Sequence, residues 1–104
     1  MPTNSNKYDR DPQLLFKDKI EVPRMYRVII HNDHYTSMDF VVEVLTKIFH
    51  MTAEKAHKVM LDVHKKGKGT CGVYTLDIAA TKTEQVREMA KIRQFPLKCS
   101  YEEA

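Results

Sequence analysis

Read for its apolar and polar positions, the chain divides at Pro23. Residues 1–22 are polar, punctuated by Pro2 and Pro12, and their single apolar cluster is Leu14–Leu15–Phe16. This composition predicts a mobile extension outside the core. From Met25 to His31 an apolar run places Tyr26, Val28 and Ile30 on one face and Arg27, Ile29 and His31 on the other, the period of a strand. Thr36-x-x-Asp39 reads as a capping box with Asp in place of Glu, opening a helix over about 37–50. Met38, Val41, Val42, Leu45, Ile48 and Phe49 recur there at helical spacing. Thr52 is the expected N-cap of a second helix, with Glu54 in its first turn complementing the dipole. Ala56, Val59, Met60 and Val63 form that helix's apolar face; Lys65, Lys66 and Lys68 suit its C-terminal end, and Gly67 stops it.

Residues 70–77 alternate again, Cys71, Val73 and Thr75 against Tyr74 and Leu76, and predict a second strand. A third helix over about 79–94 would bury Val86, Met89 and Ala90. Pro96 ends it, and 97–101 makes a short last strand. The expectation is a single compact α+β domain over 23–104, written βααββα: a three-stranded antiparallel sheet covered on one face by three helices. A chain of 104 residues supports one such core and little more.

Composition narrows the function classes. A net charge of +3 is far from the clustered basic footprint of a nucleic-acid binder, and the Lys65–Lys68 cluster lacks the interleaved aromatics that stack on bases. No apolar run reaches the roughly 20 residues of a membrane span. The opening MPTNSNKYDRDPQ has no apolar signal-peptide core, so a cytoplasmic location is expected. Cys71 and Cys99 are too few and too far apart for a metal knuckle and read as small reduced core hydrophobes.

The candidate chemistry lies where the first strand stops. Val28–Met38 reads VIIHNDHYTSM: an apolar run ending on Asn32, Asp33 and His34, then a helix start. Asn-Asp after a strand is also an ordinary turn signal. One helix later, Met60 and His64 stand four residues apart and share a helix face. Were these walls to converge, Asn32 and a neutral His64 would offer acceptors, and Asp33 negative potential, to an ammonium. Met38, Val41, Met60 and Val63 would surround an apolar neighbour. A peptide N-terminus fits, because its α-amino group, with a pKa of about 7.7–8.0, is mostly charged at neutral pH. Charge-assisted hydrogen bonds of about 1.5–3 kcal/mol each, plus a buried Leu or Phe at roughly the same, suggest micromolar binding once association entropy is subtracted. A hydrolase or metal site built on Asp33, His34, His64 and Cys71 would lack both an ordered nucleophile–base series and a close ligand pair.

The runs VIIHNDHYTSMDFVVEVL, MLDVHKKGKG, CGVYT and FPLKC, in that order from Pro23 onward, closely resemble the ClpS adaptor family. The resemblance implies a fold related to the C-terminal domain of ribosomal protein L7/L12. It also implies an adaptor without catalysis or cofactor, expected to act as a monomer. Such proteins capture N-degron substrates with an N-terminal Leu, Phe, Tyr or Trp and deliver them to the AAA+ unfoldase ClpA, or ClpC, for degradation by ClpP. Carried over by position, Asn32, Asp33, His34 and His64 are the expected α-amino site. Thr36, Met38, Val41, Met60, Val63 and Leu97 are the expected side-chain pocket, with Met38 as the gatekeeper that disfavours Ile and Val. Asp77 and Lys82 are the expected unfoldase contacts, where the family commonly has Glu in place of Asp77. The extension matches the family's arm that engages the unfoldase. One departure stands out: the family usually reads NDD where this chain reads NDH. An imidazole at position 34 replaces an anion, so binding is expected to weaken more steeply below about pH 6.5 than in an NDD protein.

Overall fold

The computed structural model describes residues 22–104; the expected extension therefore lies outside the described residues, apart from Val22. Strand β1 covers Met25–His31, and helices α1, Met38–Lys47, and α2, Ala53–Lys66, follow. Strand β2 covers Lys68–Thr75, helix α3 Leu76–Arg93 and strand β3 Lys98–Glu103. The three strands form one antiparallel sheet in the order β2-β1-β3. The α+β domain of three strands and three helices stands as expected. Its written order is corrected from βααββα to βααβαβ, because α3 lies between β2 and β3 in the chain.

β1 sits centrally because it is apolar on both faces: Val28, Ile29 and Ile30 are all buried. α1 and α2 lay their stripes, Val41, Val44 and Leu45 with Ala56, Met60 and Val63, into one core. α3 adds Val86 and Ala90. Cys71 and Cys99 are buried, as expected of small core hydrophobes, and both are free thiols. Burial pushes the Cys99 thiol up to about 11 and the Cys71 thiol higher still, so both stay protonated.

The structure departs from the expected elements at three places. The first concerns the α1 cap: it is Ser37, whose hydroxyl accepts from the Phe40 N–H at 3.1 Å, and not Thr36. The Thr36 hydroxyl instead donates to Asp33. α1 ends at Lys47, short of the expected His50, which takes a left-handed φ of 57° in the turn to α2. Second, β2 ends two residues early. Thr75 becomes the N-cap position of α3, and Asp77 falls in the first turn, where a carboxylate favours the helix dipole. Third, a β-bulge breaks the alternation of β2. Val28 pairs with Gly72 and Ile29 with Thr70, leaving Cys71 as the extra residue. Cys71 stays buried while Val73, two residues on, is 48 % exposed.

Two glycines hold α2 in place over the sheet. Gly67 ends α2 with φ 92°, a conformation that costs other residues a Cβ clash, and its N–H donates to the Val63 carbonyl at 2.9 Å. Gly69 lets β2 approach α2 closely, since a Cβ there would lie 2.6 Å from Val63 Cγ2.

Candidate functional site

β1 delivers the chain into a tight turn at Asn32. The Asn32 N–H donates to the Gly67 carbonyl at 2.8 Å, tying the end of β1 to the end of α2. Asp33 then organises the two residues after His34. Its Oδ1 accepts from the Tyr35 N–H at 2.8 Å and the Thr36 N–H at 2.7 Å, and its Oδ2 accepts from the Thr36 hydroxyl at 2.7 Å. This is an Asx turn with both carboxylate oxygens engaged. Burial pushes the Asp33 carboxyl up, but the Thr36 and Tyr35 hydrogen bonds and the nearby His34 charge outweigh it and hold it below the ordinary carboxylate value.

α1 starts immediately after the turn and projects Met38 and Val41. Across from it, α2 places Met60 and Val63 in the core wall and His64 one turn beyond Met60. The two walls meet in a cavity of about 600 Å³. Asn32, Asp33, His34 and His64 line its polar side; Thr36, Met38, Val41, Met60 and Val63 line the rest. Val41, Met60 and Val63 are buried, whereas Met38 is 45 % exposed and stands at the mouth. The hydrogen bonds among the described residues leave the Asn32 side-chain amide and the His34 and His64 rings without partners.

Of the side-chain pocket expected from the sequence, Leu97 alone stands apart. It is buried just before β3 and belongs to the hydrophobic core, but it does not line this cavity. Tyr35 and Ser37 line the cavity and are missing from the residues expected from sequence. The available signal was their place beside expected lining residues, Tyr35 between His34 and Thr36 and Ser37 between Thr36 and Met38. Tyr35 is 79 % exposed, an aromatic ring left at the mouth.

Asp77 and Lys82 lie elsewhere. Asp77 is exposed at the start of α3, where its Oδ1 accepts from the Thr75 hydroxyl at 2.8 Å. Hydrogen bonds from the Thr75 side chain and the Ile78 N–H hold its carboxyl below the ordinary value. It borders an open groove of about 1030 Å³ with Tyr26, Leu76 and Tyr101. That groove is larger than the cavity at Asn32, but among the described residues its charged lining groups are Arg24 and Asp77, and no cluster of acceptors converges in it. Lys82 is half-buried and engaged: its Nζ donates to the Ile48 carbonyl at 2.7 Å and lies 5.7 Å from the Phe49 ring and 5.4 Å from the Tyr74 ring. It fastens the end of α1 to α3.

Among the described residues, no three His, Cys, Asp or Glu side chains gather to hold a metal ion. Cys71 does not line the cavity, and its raised pKa disfavours the thiolate a nucleophile needs.

The profile of the family described as ATP-dependent Clp protease adaptor protein ClpS matches residues 21–100. A ClpS adapter protein of Syntrophus aciditrophicus is 56 % identical over 96 residues, spanning 92 % of this chain and 90 % of its own. One from Acetivibrio thermocellus is 60 % identical over 75 residues, 72 % of this chain and 76 % of its own. Among solved structures, Agrobacterium tumefaciens ClpS2 bound to L-phenylalaninamide matches with a TM-score of 0.77 at 34 % identity, covering 80 % of this chain and all of that one. Fold, motif order and these likenesses agree: the chain belongs to the ClpS family of ATP-dependent Clp protease adaptors.

Proposed function

We propose that the cavity between the Asn32 turn and α2 is an N-degron site. It binds the free α-amino group of a substrate and the bulky first side chain, Leu, Phe, Tyr or Trp, beside it. The observation that carries this reading is the two-sided lining of one 600 Å³ cavity: acceptors at Asn32 and His64, apolar walls at Val41, Met60 and Val63. A bound ammonium gives its donors to the acceptors, and burying a Leu or Phe side chain among the apolar walls adds about 1.5–3 kcal/mol. Phenylalaninamide, the ligand of the Agrobacterium relative, has the same two halves, an amino group and a benzyl side chain.

The adaptor then hands its cargo to a AAA+ unfoldase, ClpA or ClpC, working with ClpP in the bacterial cytoplasm. It acts as a monomer and catalyses no reaction itself. Asp77 and the groove beside it are the proposed contact with the unfoldase. A peptide panel varying only the first residue tests the site. Phe, Leu, Tyr and Trp should bind at micromolar concentration, and Glu, Lys, Ile and Val at least tenfold more weakly. Equal binding across the panel would contradict the proposal.

A further inference from the structure

Val63 has the cavity on one side and β2 on the other. It lines the apolar wall. It also lies against Gly69, where a Cβ would come within 2.6 Å of Val63 Cγ2. Carbon atoms do not pack that closely, so any side chain at position 69 would displace its neighbour by roughly 1 Å. Val59 is no obstacle, since its nearest atoms would lie at 3.8 and 3.9 Å, in ordinary contact. No left-handed φ calls for glycine here; among the described glycines only Gly67 has one. A glycine inside a strand weakens it, and at position 69 what it supplies is space for α2. Gly69 itself does not line the cavity.

We propose that Gly69 is a positioning residue for substrate selection: having no side chain, it lets Val63 sit back towards β2 and so sets how bulky a first side chain the cavity admits. This rests on the reading of the cavity as an N-degron site. The strain of a methyl group at position 69 has three outlets, and the surroundings close two of them. β2 is held in the sheet, because Gly69 pairs with Ile30 of the central strand and Ile30 pairs in turn with Cys99 on β3. The last turn of α2 is tied down at Gly67, whose N–H donates to the Val63 carbonyl at 2.9 Å and whose carbonyl accepts from the Asn32 N–H at 2.8 Å. The Val63 side chain is the outlet that remains. A valine in a helix keeps one strongly preferred χ1 rotamer, so it does not swing aside. It tips as a unit into the space it shares with Val41 and Met60. A wall moved inward overpacks a large occupant before a small one. Peptides beginning with Trp or Phe should therefore lose affinity before those beginning with Leu.

The test is a double-mutant cycle on the full chain: wild type, Gly69→Ala, Val63→Ala and the two together, each titrated with peptides that differ only in a first Trp, Phe or Leu. In Gly69→Ala the Trp-to-Leu and Phe-to-Leu affinity ratios should fall at least about fivefold. Val63→Ala removes the methyl groups that the new Cβ would strike. Adding Gly69→Ala to that variant should change the same ratios by less than about twofold. Retained Leu binding shows that each variant is folded, and a merely structural role for Gly69 would leave the ratios alone. Unchanged ratios in Gly69→Ala, an equal loss for all three peptides, or the same fall in both backgrounds would overturn the role of Gly69. No binding of any of the three peptides by the wild type would instead overturn the N-degron reading, and this inference with it.

Discussion

Asp33 and His34 are adjacent in sequence, but of the two only the Asp33 side chain is engaged by hydrogen bonds among the described residues. The Asp33 side chain builds the turn from within, through three hydrogen bonds to the two residues at positions 35 and 36. Removing them as Asp33→Ala should destabilise the domain by about 1–3 kcal/mol, read as a lower urea midpoint at neutral pH, and should weaken peptide binding by deforming the rim. The sign of the pH dependence comes from its depressed pKa. The carboxylate's contribution is fully present above its ordinary value of 3.8 and is lost as pH falls through the lower folded value. The difference between wild type and Asp33→Ala should therefore shrink towards pH 2.5. Met38 presents a different case. It is half exposed at the mouth, so Met38→Ala should change stability by no more than about 0.5 kcal/mol. Binding of Ile- and Val-initiated peptides should rise at least fivefold in that variant while Phe binding holds. Unchanged discrimination against Ile and Val would remove Met38 as the gatekeeper.

Between elements, Lys82 has an internal role that the sequence did not suggest. Its ammonium closes the end of α1 through the Ile48 carbonyl and rests against Phe49 and Tyr74. Lys82→Ala should cost about 1–3 kcal/mol, the sum of a charged hydrogen bond and partly buried cation–π contacts, and lower the melting temperature by several degrees. A melting temperature equal to the wild type's would show that these contacts contribute nothing to stability. The same scale shows what the chain makes legible. β1, the Thr52 cap and the Gly67 stop arise from patterns within a few residues, and they stand where the sequence puts them. The α1 cap shifts by one position because Thr36 has two possible partners, and only the folded turn shows that Asp33 takes it. The bulge at Cys71 is set by pairing with β1, a register that no local alternation in β2 encodes. Leu97 looks like pocket lining by position in the family, but its place against the core depends on how β3 meets the helices. The convergence of Met60 and His64 with the Asn32 turn was visible as two half-sites. Their closure depends on the Asn32–Gly67 bond and on the close approach at Gly69.

At the scale of the molecule, the two surfaces are held apart by β1 itself. The cavity opens where β1 ends, at Asn32, and the groove beside Asp77 opens where β1 begins, near Tyr26. Six residue steps of strand put roughly 20 Å between those ends. Under the proposed function, cargo binds at one end and the unfoldase engages the other. Asp77→Lys should therefore leave peptide affinity within twofold of wild type and slow the degradation of an N-degron substrate by the Clp protease. A matched loss of peptide affinity would show the two surfaces to be one. The central claim is that the cavity recognises a charged α-amino group, and its most direct test changes that group alone. Binding of one Phe-initiated peptide is measured by calorimetry at pH 7.2, free and N-acetylated. Acetylation removes the positive charge and the ammonium donors while leaving the Phe side chain intact. The free peptide should bind at micromolar concentration and the acetylated one at least 100-fold more weakly, about 2.7 kcal/mol or more. Equal affinities would mean that the Asn32 and His64 acceptors are not the site's purpose.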